Sequence, residues 1–108
     1  MKYQELEDFK ELKKKYTLEK LKLKYEVKLI KHGYYFLGIV DYNNRYVFLE
    51  YKNMKGSFPL LSSIVRIWKD LQTGKTEADL LIRGEEKKDF KHLSMNELFE
   101  LIEEIEKS

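Results

Sequence analysis

Residues 34–42 and 45–52 read as two strands joined at Asn43-Asn44, and both strands are apolar on each of their faces. Asn tolerates positive φ better than most residues, so the pair makes a favourable two-residue hairpin turn. If Asp41 faces Tyr46 across that turn, one face carries Tyr35, Leu37, Ile39, Phe48 and Glu50. The other carries Tyr34, Phe36, Val40, Val47, Leu49 and Tyr51. A strand pair that is apolar on both sides belongs inside a layered fold or against another chain. The hairpin therefore calls for helices around it, and a protein partner or a homodimer wherever the helices fall short.

The flanking segments supply three helices. Tyr3, Leu6, Phe9, Leu12 and Tyr16 recur every three or four residues and predict an amphipathic helix over 2–16. From Thr17 the period changes: Leu21, Leu23, Tyr25, Val27 and Leu29 alternate with Lys20, Lys22, Lys24, Glu26 and Lys28, the pattern of a strand with one wet face. A helix continued to Ile30 would scatter these leucines around its cylinder, so the strand is the preferred reading. After Gly56 and Pro59, the spacing of Leu61, Ile64, Val65, Trp68 and Leu71 predicts a helix over 60–72. The competing reading makes 64–71 a strand paired with 77–83 across Thr73-Gly74. Ala78 to Ile82 is a short apolar run and reads as a strand. Ser94-Met-Asn-Glu97 is a capping box, followed by the stripe Met95, Leu98, Phe99, Ile102 and Ile105. The expectation is one α+β domain over 1–108, in the order α-β-β-β-α-β-α, with a central antiparallel meander flanked by helices. Its expected core holds Leu23, Tyr25, Phe36, Val47, Leu49, Ile64, Trp68, Leu98, Phe99 and Ile102.

Composition narrows the class. With 43% hydrophobic residues, eight Tyr, six Phe and Trp68, the chain has the material for a core and is not a disordered polymer. Its longest apolar run, Tyr34 to Val40, is far short of the roughly 20 residues that a membrane helix needs. No cysteine is present, so there is neither a disulfide framework nor a thiol nucleophile. A cytoplasmic protein without a membrane partner is the natural reading. The excess of lysine (18) over arginine (3) and of glutamate (14) over aspartate (5) suits a thermophile, and an AT-rich genome equally.

Net charge is only +2, unevenly spread: residues 1–55 carry thirteen basic and eight acidic side chains, residues 56–108 eight and eleven. Lys13, Lys14, Lys15, Lys20, Lys22, Lys24 and Lys28 concentrate the positive charge. On a strand, Lys20, Lys22, Lys24 and Lys28 would share one face. That face is either a phosphate-contacting surface for nucleic acid or an edge guarded by lysines against aggregation. Tyr34, Tyr35, Tyr42, Tyr46 and Tyr51 would serve such a surface by stacking bases, or else fill the core. His32 and His92 have no Cys to complete a zinc site, and Ser94 is better used as a helix cap than as a nucleophile.

One constellation bears on chemistry. Gly38-Ile-Val-Asp41 and Leu49-Glu50-Tyr-Lys52 place an acid and a Glu-x-Lys on neighbouring strands. Together with the expected element order, this resembles the PD-(D/E)XK nuclease superfamily. The resemblance implies Asp41 and Glu50 as Mg²⁺ ligands, Lys52 beside the attacking water, and Glu7 or Glu11 as the acid of the first helix. The spacing runs against assembly of that site. A turn at Asn43-Asn44 sets Glu50 opposite Leu37 and Lys52 opposite Tyr35, with Asp41 roughly 13 Å nearer the turn than Glu50 at about 3.3 Å per residue. The expectation is therefore no catalytic residue, no metal and no cofactor. The reading is a small interaction module, adaptor or inhibitor, acting through its aromatic hairpin or its acidic C-terminal helix. The alternative is a nucleic-acid-binding protein with a nuclease-like fold, either catalytically inactive or, as the lesser alternative, a Mg²⁺-dependent nuclease.

Overall fold

The computed structural model describes the backbone of residues 3–41, 45–82 and 90–107, and their side chains apart from those of 3–11, 40 and 41. Residues 3–31 contain neither glycine nor proline and are rich in Leu, Lys and Glu, all good helix formers. They form one 29-residue helix, α1 (Tyr3–Lys31). The expected break at Thr17 and the strand over 20–30 are thus corrected. The Thr17 hydroxyl donates to the Lys13 carbonyl at 2.8 Å, a local bond that accommodates threonine inside a helix. Leu18, Leu21 and Leu29 are buried and Tyr25 is packed beside them, so the 3.6-residue period wins over the local alternation. The scattering that favoured a strand is nevertheless present, since Leu23 is 82% exposed.

The helix ends where the first glycine allows it. Gly33 takes φ +86°, and its N–H donates to the Ile30 carbonyl at 2.9 Å. Lys28 and Lys31 sit in the last turn, where cations complement the helix dipole. The chain then enters a five-stranded antiparallel sheet in sequential order: β1 (Tyr34–Asp41), β2 (Tyr46–Asn53), β3 (Ile64–Asp70), β4 (Thr76–Leu81) and β5 (Lys91–Ser94). α2 (Met95–Lys107) closes the domain, which is a single α+β unit. Its capping box is as expected: the Glu97 N–H donates to Ser94 Oγ at 3.2 Å, and the Ser94 N–H to Glu97 Oε1 at 3.1 Å.

The order α-β-β-β-β-β-α replaces the expected α-β-β-β-α-β-α. The segment 60–72 is strand β3 with a preceding turn, not a helix, as the competing hairpin reading had it. Three of its residues, Ile64, Val65 and Ile67, are β-branched, and β2 and β4 pair with it on both sides. Its apolar residues fit both periods, and only the neighbouring strands decide between them. β5 had no sequence signal, being only four residues with one buried side chain, Leu93.

Both helices pack on one face of the sheet, α1 against β1 and β2 and α2 against β4 and β5. Leu18, Leu21 and Leu29 of α1 and Leu98, Phe99 and Ile102 of α2 meet Val47, Leu49, Tyr51, Val65, Ile67 and Leu80 there. Of the expected core, Val47, Leu49, Ile64, Leu98, Phe99 and Ile102 are buried. Leu23 and Phe36 are exposed, and Tyr25 and Trp68 are half-buried. Among the described residues, no helix is long and apolar enough to cross a membrane.

Asn53 fixes how α1 meets the sheet. Its buried amide donates to the His32 carbonyl at 3.1 Å and accepts from the Gly56 N–H at 2.6 Å. A Cβ on Gly56 would stand 2.7 Å from Asn53 Oδ1 and 2.9 Å from its Nδ2, so no side chain fits there. Gly56→Ala is expected to cost about 2–3 kcal/mol in denaturant unfolding, through overpacking and lost buried hydrogen bonds. Gly38→Ala, where an added Cβ meets nothing within 4 Å, is expected to be neutral or to stabilise by about 0.5 kcal/mol.

Candidate functional site

The face of the sheet turned away from both helices is set by strand alternation. In β2, Val47, Leu49, Tyr51 and Asn53 are buried, whereas Tyr46, Phe48, Glu50 and Lys52 are half-buried on the opposite face. Register carries that face across the sheet. Phe48 lies opposite Trp68, and Glu50 opposite Arg66. Trp68 lies opposite Glu77 and Arg66 opposite Asp79; Asp79 in turn lies opposite His92.

The side chains organise into an aromatic row bordered by ion pairs. Trp68 packs edge-on against Tyr46, with centroids 5.5 Å apart at 81°, and against Phe48 at 6.3 Å. On its other side it stacks on His92 at 5.1 Å and 33°. The Arg66 guanidinium lies over Phe48 at 5.7 Å and Phe90 at 4.2 Å, while its NH2 group donates to Glu50 Oε1 at 2.9 Å. His92 Nδ1 bonds Asp79 at 2.8 Å and its Nε2 bonds Glu77, which also accepts from Lys75 Nζ at 2.6 Å. At the rim, Arg45 grips Asp70 through two nitrogens, at 2.9 and 3.2 Å.

These pairs shift titration in predictable directions. The Arg45 guanidinium, reinforced by the Gln72 and Thr73 N–H groups, holds the Asp70 carboxyl down at about 2. Hydrogen bonds from Lys75 and then His92 depress Glu77. Bonds to Asp79 and Glu77 raise His92 despite partial desolvation.

The positions singled out by sequence are placed differently. With β1 and β2 paired, Lys52 lies opposite Tyr35, as expected, but Glu50 lies opposite Gly38 rather than Leu37. A bulge at Leu37, between Phe36 and Gly38, shifts the register by one. Asp41 pairs with Val47, three residues or roughly 10 Å along the strand from Glu50. Val47 and Glu50 occupy opposite faces of β2. Glu50 is engaged by Arg66, so positions 41, 50 and 52 do not fit a shared Mg²⁺ site. The side chain of Glu11 lies outside the described residues, as does Tyr42. Among the described residues no three His, Asp or Glu side chains converge as metal ligands.

The expected lysine face is not formed either. On a helix, Lys13, Lys14, Lys15, Lys20, Lys22, Lys24 and Lys28 point in several directions. Four of them cover rings instead: Lys20 over Tyr16, Lys22 over Phe36 at 3.9 Å, Lys24 over Tyr25, and Lys28 over Phe99 at 4.2 Å. Of the tyrosines, Tyr34 and Tyr51 are core and Tyr46 alone joins the aromatic row. Sequence reasoning missed Arg66, Trp68, Phe90 and His92 as surface neighbours. The available signal was the alternation Val65-Arg66-Ile67-Trp68, which was absorbed into a helical stripe. Comparison with protein-family models, with curated proteins and with solved structures found no match.

His92 gives the face an optical readout, since Trp68 is the sole tryptophan. Trp68 emission should titrate with a midpoint above about 6.5, the ordinary histidine value, and the transition should vanish in His92→Gln. A raised pKa in the folded state means that this pairing stabilises fully below about 6.5 and is lost as pH rises through the folded value.

Proposed function

We propose that this chain is a protein-binding module whose recognition surface is the open face of the sheet. The observation that carries the reading is the row Tyr46–Trp68–His92, with Phe48 beside it, on a face that neither helix covers among the described residues. Tyr, Trp and Arg are the residues enriched among those that dominate binding energy at protein interfaces; Tyr and Trp bury large area at small entropic cost, and Arg adds directed hydrogen bonds. Here Tyr46 meets Trp68, and Phe48 beside them carries the Arg66 guanidinium over its ring. The surrounding charges are paired and of both signs, which is the chemistry of a polar rim.

Charge also favours a protein over a nucleic acid. Glu50, Glu77 and Asp79 border the rings and pair with Arg66, Lys75 and His92, so the basic groups beside the rings are already committed to carboxylates rather than to phosphates. A polypeptide with an apolar centre and mixed charges around it does not depend on free basic groups. The acidic helix α2 supports the reading less well, because Glu103 and Glu106 are turned to His32, at 3.9 and 2.8 Å.

Random peptides displayed on phage and selected on the folded protein supply the test. Selected peptides should bind Trp68→Ala at least about 30-fold more weakly, as for a hot-spot residue. Phe48→Ala, at a less central position, should weaken them about tenfold while the fold is retained. Short single- and double-stranded oligonucleotides at low salt should neither bind nor compete. Recovery of no peptide, or peptides indifferent to both substitutions, would overturn the proposal; tight oligonucleotide binding abolished by Trp68→Ala would replace it with nucleic-acid recognition.

A further inference from the structure

The outward side of α1 carries a second apolar stripe. Leu12, Tyr16, Leu23, Val27 and Ile30 are all exposed. At about 100° per residue they fall within about 60° of one another, and their centre lies about 160° from that of Leu18, Leu21, Tyr25 and Leu29. The helix thus has two apolar faces, one spent on the sheet and one bare. The bare stripe runs about 27 Å along the helix at about 1.5 Å per residue. Beside it, Glu19, Lys22, Leu23 and Glu26 line a shallow hollow of about 310 Å³.

We infer that two copies of this chain associate through α1, with the helices parallel. Charge beside the stripe selects both the partner and its direction. Lys13, Lys20, Lys24 and Lys31 border one side of the stripe; Glu19 and Glu26 border the other most closely, with Lys15 farther out on that side. A two-fold axis along the seam exchanges left and right, so the lysine border of each copy meets the glutamate border of the other. Glu19 then lies beside Lys24 of the second copy, and Glu26 beside Lys31, the five-residue offset of parallel coiled coils. An antiparallel pair would set lysine against lysine. The surface is therefore complementary to itself, which is what an isologous dimer requires. Leu23 meets Leu23 at the centre. The contact of Glu26 with Lys22 in its own helix, long at 3.8 Å and half-buried, is weak enough to yield. Each sheet lies behind its own helix, so the seam is unobstructed, and both open sheet faces point outward.

Sedimentation equilibrium tests this with the full chain. A reversible, concentration-dependent dimer is expected, weakened by salt. Leu23→Glu should weaken it at least about 100-fold, because two Leu23 side chains leave the interface. The fold should survive, as Leu23 is exposed. Reversing Lys24 and Lys31 to glutamate should likewise dissociate the dimer, and adding Glu19→Lys and Glu26→Lys should restore it. The chain has no cysteine, so single substitutions report direction cleanly. Tyr16→Cys and Ile30→Cys should each cross-link to itself on oxidation. A monomer at every concentration, a dimer indifferent to Leu23→Glu, failure of the fourfold charge swap to restore it, or cross-linking only when the two cysteine variants are mixed would each overturn the inference.

Discussion

The buried carboxamide of Asn53 joins three segments at one point. It holds the His32 carbonyl just past the end of α1, the turn at Gly56 and, through its own backbone, Ser62 and Ser63 before β3. Nearby, the Ser63 hydroxyl bonds the Leu60 carbonyl and the Tyr34 hydroxyl, each at 2.6 Å, deep in the core. Leaving a buried polar group unsatisfied costs free energy, so this cluster favours one arrangement of the helix end and the two strands. Burial pushes the Tyr34 phenol up, which keeps it neutral and suits it to that network. Hydrophobic packing would accept small rotations of α1 on the sheet; the amide does not.

That constraint puts α1 along β1 and β2, and His32 then reaches Glu106 at 2.8 Å and lies near Phe99 of α2. The two helices consequently share one face of the sheet. A two-layer arrangement leaves a sheet with a dry side and a wet side, and the wet side here is unusually rich in rings. The open face and the bare stripe of α1 share an origin: the two helices among the described residues give too little apolar cover for every apolar side chain that the sheet and α1 carry.

How much of this was legible in the sequence depended on whether a residue's neighbours lay nearby in the chain. The Ser94 capping box and the stripe of α2 are local patterns with local causes, and both were legible. So were the two strands of the central hairpin, though the bulge at Leu37 left no mark and moved Glu50 opposite Gly38. Residues 17–31 misled because an amphipathic helix with a second apolar stripe satisfies two periods at once. The alternation of Leu21, Leu23 and Tyr25 with lysines is genuine, and only the buried Leu18 and Leu29 settle the helix. Ile64 to Leu71 was ambiguous for the opposite reason, since β2 and β4 on either side make it a strand. The aromatic row could not be read from sequence, because Tyr46, Trp68 and His92 meet only through the registers of four strands.

Hydroxyl-radical footprinting of the free protein tests the one-sided arrangement most directly, because side-chain oxidation reports solvent access ring by ring. Tyr46, Phe48 and Trp68 should be oxidised readily while Tyr34 and Tyr51, both fully buried against the helices, stay protected. Protection of Trp68 and Phe48 to the level of Tyr51 would mean that the face is covered, and would contradict the account.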